Sequence, residues 1–142
     1  MSFISKHRKN IILLFLAILV LAVFMVNRDN LLTYYFSIKY SDQTKYVNSV
    51  IQLIAQKDDD SYKSHFIKDS WFLSNPIYIS EMRRYFREID TTSFRPYFAR
   101  YQMEKGENIL FMGLENKDKY RINFKLKPVG SIWIIMTMHG DP

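Results

Sequence analysis

The chain has no cysteine among its 142 residues, and only four glycines and four prolines. The missing cysteine excludes a disulfide framework, a zinc–thiolate site, a thiol nucleophile and the lipidated cysteine of a bacterial lipoprotein. So little Gly and Pro excludes a collagen-like or low-complexity design, and no repeat recurs at solenoid or propeller periods. Catalytic signatures are missing as well. There is no G-x-S-x-G elbow, no Walker A loop and no dinucleotide fingerprint. The three histidines, His7, His65 and His139, show no H-x-x-x-H or H-E-x-x-H spacing that would set two imidazoles on one helical face. The sequence therefore predicts no catalytic residue, no metal ligand and no cofactor, and the expectation is a protein that is not an enzyme.

What is present is apolar. Hydrophobic residues make up 48% of the chain and aromatics 16%, too much for disorder. The length suits one domain. Asp58-Asp59-Asp60 is the densest acidic cluster. A calcium loop needs oxygens at alternating positions around a glycine, so three consecutive carboxylates read instead as a solvated loop whose last member caps the next helix.

Ile11 to Val26 is an unbroken apolar run, IILLFLAILVLAVFMV. Sixteen residues of helix are about 24 Å long, a little short of a ~30 Å hydrocarbon core. Leu31, Leu32, Tyr34, Tyr35 and Phe36 follow, and aromatic rings suit the headgroup layer. A cleavable signal needs small residues before the cut, and Val23-Phe24-Met25-Val26 supplies none. Half of the net charge of +6 comes from Lys6, Arg8 and Lys9, ahead of the run, while Arg28 stands beside Asp29 behind it. The positive-inside rule then keeps the tail in the cytoplasm and exports the rest. The expected division is a basic cytoplasmic tail over 1–10, a transmembrane helix over 11–30, a juxtamembrane stalk over 31–41 and an exported domain over 42–142. The expected location is a bacterial inner (plasma) membrane, with that domain periplasmic or extracellular.

Within the domain, Tyr46, Val47, Val50, Ile51 and Ile54 recur at helical spacing behind a capping Asp42. A short second helix carries Tyr62, Phe66 and Ile67, and 69–73 reads as a connector or short strand. A third helix ends near Ile89, with either Asn75 or Ser80 as its cap. From Tyr97 the period changes to two. Four strands, joined by turns at 105–108, 116–119 and 128–130, predict an antiparallel meander with helices covering one face. The fold class is α+β.

The segments Val47–Phe66 and Trp71–Ile89, and the closing Gly130-Ser131-Ile132-Trp133-Ile134-Ile135, resemble the NTF2-like (cystatin-related) superfamily, whose helices pack into a strongly curved sheet. A short tail, one span and an exported domain of that type is also the plan of the VirB8-like components of type IV secretion and conjugation machines. That resemblance implies a scaffold making protein contacts at the membrane, without chemistry of its own. It also implies a cone that Trp71, Tyr97, Tyr101, Phe111, Tyr120, Phe124 and Trp133 would line if it held a small apolar ligand, although core packing is the plainer reading of those rings.

Arg83, Arg84 and Arg87 make a basic set on the third helix, continued by Arg95 and Arg100. They form either a solvated face, offset by Glu81 and Glu88, or a docking surface for an acidic partner or anionic lipid. The scattered charge does not suit nucleic acid. The expected partners are the lipid bilayer and a protein in the membrane or periplasm. The leading expectation is an interaction or scaffold domain of an envelope-spanning assembly, and the alternatives are a ligand-binding module and a membrane-tethered immunity or inhibitor protein.

Overall fold

A helix with no charged residue from Ile11 to Asn27 has no reason to bend back on itself, and the chain opens with one long helix, α1 (Phe3–Lys39). The computed structural model describes residues 3–56 and 61–141; the side chains of Lys6, Arg8 and Lys9, and the whole of Asp58–Asp60, lie outside the described residues. Two compact units emerge, Met1–Leu32 and Thr33–Pro142. The stretch Asn10–Lys39, thirty residues, is by length and composition a candidate membrane span, and none of its apolar window is buried in the protein.

In the second unit α1 ends at Lys39 and α2 (Ser41–Gln56) follows after the single residue Tyr40. Val47, Val50, Ile51, Ile54 and Ala55 of α2 are buried, the apolar stripe expected of a surface helix. A 3-10 turn over Ser61–His65 buries Tyr62. The segment expected as a connector or strand forms instead a one-turn helix, α3 (Trp71–Ser74). The residue that does join the sheet lies earlier: Phe66 bridges Ile135, and the Ile67 N–H donates to the Ile135 carbonyl at 3.0 Å. Phe66 is held there by stacking on Phe72, ring centroids 4.8 Å apart. Helix α4 (Pro76–Glu88) is capped by Asn75, whose side chain accepts from the Tyr78 N–H at 3.1 Å, with Pro76 in the first turn. Of the two caps considered, Asn75 serves because proline at the first helical position has no N–H to leave unpaired.

The sheet is an antiparallel meander in sequence order: β1 (Arg95–Glu104), β2 (Glu107–Glu115), β3 (Arg121–Val129) and β4 (Ile132–Asp141). Its turns explain its register. Lys105 and Gly106 both have positive φ, the two-residue turn whose twist matches paired strands. Gly130, at φ 62°, opens the two-residue turn between β3 and β4. Asn116 holds the β2–β3 turn through its side-chain oxygen, which accepts from Asp118 N–H at 2.9 Å and Tyr120 N–H at 3.0 Å.

One face of the sheet packs on the helices. Ala99, Leu110, Met112, Leu114, Ile122, Phe124, Leu126, Ile135 and Met138 join Val50, Ile54, Phe72, Met82 and Phe86 in one core. Each fully buried aliphatic or aromatic side chain there contributes roughly 1.5–3 kcal/mol by leaving water. A bulge between Pro96 and Phe98 breaks the alternation of β1. It puts Tyr97 over Gly113 on the outer face, where a Cβ on that glycine would lie 2.7 Å from the tyrosine ring.

The two sheet edges differ. Phe66–Ile67 lies against β4, whereas β1 pairs only with β2, and among the described residues no strand or backbone hydrogen bond lies on its other side. Arg100, Tyr101, Gln102 and Met103 are consecutively exposed along that free edge.

Candidate functional site

Two of the three arginines of α4, Arg83 and Arg87, reach the end of another helix. The described part of helix α2 closes at Gln56, and carbonyls of its last turn accept from side chains of α4. Arg83 Nε donates to the Ile54 carbonyl at 3.2 Å, and Arg87 Nε to the Ala55 carbonyl at 2.7 Å. Positive charge at that position also meets the negative end of the α2 dipole. The Arg83 guanidinium lies 5.9 Å from the Tyr62 ring centroid, a cation–π contact. Arg84 is exposed. Arg83 and Arg87 of the expected docking set thus reach a helix end, while Arg87, like Arg84, stays exposed to solvent.

The candidate pocket-lining rings fall into three groups. Phe124 is 2% exposed and belongs to the core, with Trp133 half-buried at its margin. Tyr97 and Phe111 stand on the opposite face of the sheet, where the Tyr97 hydroxyl donates to Asn123 Oδ1 at 3.0 Å and the Arg121 guanidinium sits 4.9 Å over the ring. Phe111 lies beneath Arg100 and Lys125, at 5.8 and 4.7 Å. Tyr101 packs on Tyr40, with ring centroids 6.2 Å apart, and Trp71 stacks on His139 at 5.5 Å; both rings are about half exposed. Tyr120, the remaining ring of that set, meets Tyr85 edge-on at 5.1 Å. The pleat and the bulge divide them, so these rings do not converge on one concavity.

Sequence reading did not single out a recess of about 190 Å³ lined by Ser37, Ser41, Thr44, Lys45, Arg95 and Pro96. Its signal was Ser37, Ser41 and Lys45 at four-residue intervals. The Ser37 and Thr44 hydroxyls donate to the Thr33 and Tyr40 carbonyls at 2.8 and 2.7 Å. Their protons are committed, so they offer lone pairs to the recess and not donors. That weakens it as an anion site despite Lys45 and Arg95.

Titratable groups are tied into the structure. The Thr92 hydroxyl and N–H, at 2.6 and 3.0 Å, with Lys117 at 3.2 Å, lower the Asp90 carboxyl to about 2. For Glu115 burial acts upward, yet hydrogen bonds from Lys119 and Arg121 prevail and hold it below the ordinary carboxylate range. Burial pushes the Tyr46 phenol up, and its oxygen lies 3.3 Å from His65 Nδ1. Asp90 and Glu115 flank the same end of the sheet and are neutralised by neighbours, an arrangement that ties loops together. Among the described residues no group of three or more His, Cys, Asp or Glu is placed to hold a metal ion.

No family model, no curated protein and no solved structure matches this chain.

Proposed function

We propose that this chain is a single-pass membrane protein that displays its α+β unit outside the cytoplasm as a protein-interaction or scaffold domain of an envelope-spanning assembly. The observation that carries the reading is the candidate span itself. Asn10–Lys39 has an apolar window wholly uncovered by the rest of the described chain, and at 1.5 Å per residue its thirty residues reach about 45 Å, enough for a bilayer and its headgroups. Apolar surface on that scale is costly in water and stable in lipid. Lys6, Arg8 and Lys9 ahead of the run favour a cytoplasmic N-terminus, in a bacterial inner membrane.

The domain reading follows from how the side chains are used. Its candidate rings are divided among the core, cation contacts on the outer face and half-exposed positions, while Arg83 and Arg87 close a helix end. This favours contact surfaces over a ligand chamber. The helices on one face of a four-stranded meander support the NTF2-like cone as the finer description of the fold, and the VirB8-like plan as the functional analogy.

Topology is the test. Because the chain has no native cysteine, single Lys117→Cys and Ser5→Cys variants can be exposed to a membrane-impermeant maleimide on intact cells. Labelling of Lys117→Cys alone, in a protein that resists alkaline carbonate extraction, supports the reading. Release by carbonate, or labelling of Ser5→Cys alone, overturns it. Affinity purification of the full chain then tests the scaffold role, which predicts defined membrane partners at fixed ratio.

A further inference from the structure

From the free edge of β1 we infer that the domain pairs with a second copy of itself, strand β1 against strand β1 in antiparallel register centred on Gln102. The inference deepens the interaction-domain reading and rests on it for the partner being a protein.

Unpaired backbone groups on a sheet edge are a template for another strand, and proteins commonly cover or interrupt such edges. Here the β4 edge is covered by Phe66–Ile67. The first half of β1 is interrupted by Pro96, which lacks a donor, and by the bulge before Phe98. The second half carries neither device. Arg100 to Met103 are exposed, with Met103 at 66% and Tyr101 at 44%.

Register parity then limits how a second copy can fit. Glu104 and Glu107 flank a two-residue turn, so they form a hydrogen-bonded pair, and the backbone groups of Gln102 and Arg100 also point towards β2. Those of Ala99, Tyr101 and Met103 point outward. A second β1 must match outward groups with outward groups, which leaves registers centred on 100, 101, 102 or 103. Centring on Arg100 sets two guanidiniums face to face. Centring on Tyr101 puts Phe98 opposite Glu104, and centring on Met103 puts Gln102 opposite Glu104.

Centring on Gln102 is the arrangement that pairs opposite charges. Arg100 then faces Glu104 of the second copy twice over, Gln102 faces its own counterpart, and on the other face Tyr101 meets Met103. The backbones of Tyr101 and Met103 exchange hydrogen bonds across the seam. Glu104 also holds Lys125, at 3.0 Å, on the same face of the sheet, so the seam would be lined by alternating charges. Tethering two copies in one membrane would raise their effective concentration, which lets a short seam suffice.

The experiment uses the full chain in lipid nanodiscs large enough for two copies. In the proposed register residue 102 faces itself in a non-hydrogen-bonded pair, with Cα atoms about 4.5 Å apart, inside the range a disulfide spans. Oxidation of Gln102→Cys should give a covalent dimer, while Arg100→Cys, Met103→Cys and the distant Lys117→Cys should not. Arg100→Glu and Glu104→Arg should each lower dimer association about tenfold, and the double variant should recover to within about threefold. A monomeric Gln102→Cys chain, or a double variant no better than the singles, overturns the inference. So does dimerisation that ignores the β1 charges and cross-links at Leu19→Cys, because association would then lie in the apolar helix. Recovery of a different protein partner with no self-pairing would overturn the inference and leave the interaction-domain reading standing.

Discussion

Arg87 donates from Nε to the carbonyl of Ala55 at 2.7 Å, bringing a guanidinium from α4 to the C-terminal turn of α2. Thirty-two residues separate the two in sequence. The contact joins two helices that both pack on the sheet, so it links local helix termination to tertiary order.

Arg87→Ala should destabilise the domain by about 1–2 kcal/mol, the range for a hydrogen bond from a charged donor that leaves a helix carbonyl unpaired. Thermal melts of the full chain in mild detergent, followed by circular dichroism, measure this. Arg87→Lys should recover only part of the loss, because an ammonium lacks the planar fork. An Arg84→Ala variant, lacking an exposed side chain, should melt within about 0.5 kcal/mol of the parent.

Gly113→Ala should cost about 1–3 kcal/mol, the usual penalty for overpacking, because the new methyl would meet the Tyr97 ring. Tyr97→Ala removes the obstruction. A double-mutant cycle should therefore show a positive coupling, with Gly113→Ala nearly neutral in the Tyr97→Ala background.

Asp90 should titrate by NMR with a midpoint of about 2, against an ordinary value of 3.8. A carboxyl lowered in the folded state stabilises the fold above its unfolded value, and that contribution is lost as pH falls through about 2. Thr92→Val should move the midpoint upward more than Lys117→Met, since the Thr92 hydroxyl is the largest cause of the shift.

Phe124→Ala should cost about 3–5 kcal/mol, as expected for a ring buried in a packed core. Phe111→Ala, on the outer face under Arg100 and Lys125, should cost clearly less. If both rings lined one ligand chamber, both variants would instead alter binding of a hydrophobic dye and leave stability similar. Chemical denaturation alongside dye binding separates the two.

Much of the architecture could be read along the chain. Ile11–Val26 has one physical solution, helix with an apolar surface, because no residue within it offers an alternative. The apolar spacing of Val47, Val50, Ile51 and Ile54 selects helix, and the alternation around Ile122, Phe124 and Leu126 selects strand. Lys105-Gly106 and Gly130-Ser131 mark the turns, since two-residue hairpins need positive φ. These signals act within a few residues, so a short window contains their cause.

Other features had no local cause to read. Trp71–Ser74 coils because Phe72 must reach Phe66 and Tyr62 in the core, not because the segment favours helix. Tyr97 changes face because a bulge lets its ring lie over Gly113, sixteen positions on and on another strand. Arg83 and Arg87 look like a solvated basic face until α2 is placed beside α4 and the Ile54 and Ala55 carbonyls accept from them. Which edge of the meander is covered likewise depends on Phe66 meeting Ile135. By itself the sequence determined an apolar helix, amphipathic helices, alternating strands and their turns, through propensity and period. Tertiary structure alone decided which charges are spent on backbone, which aromatics share a face and which strand stays open, because those outcomes depend on contacts between residues far apart in the chain.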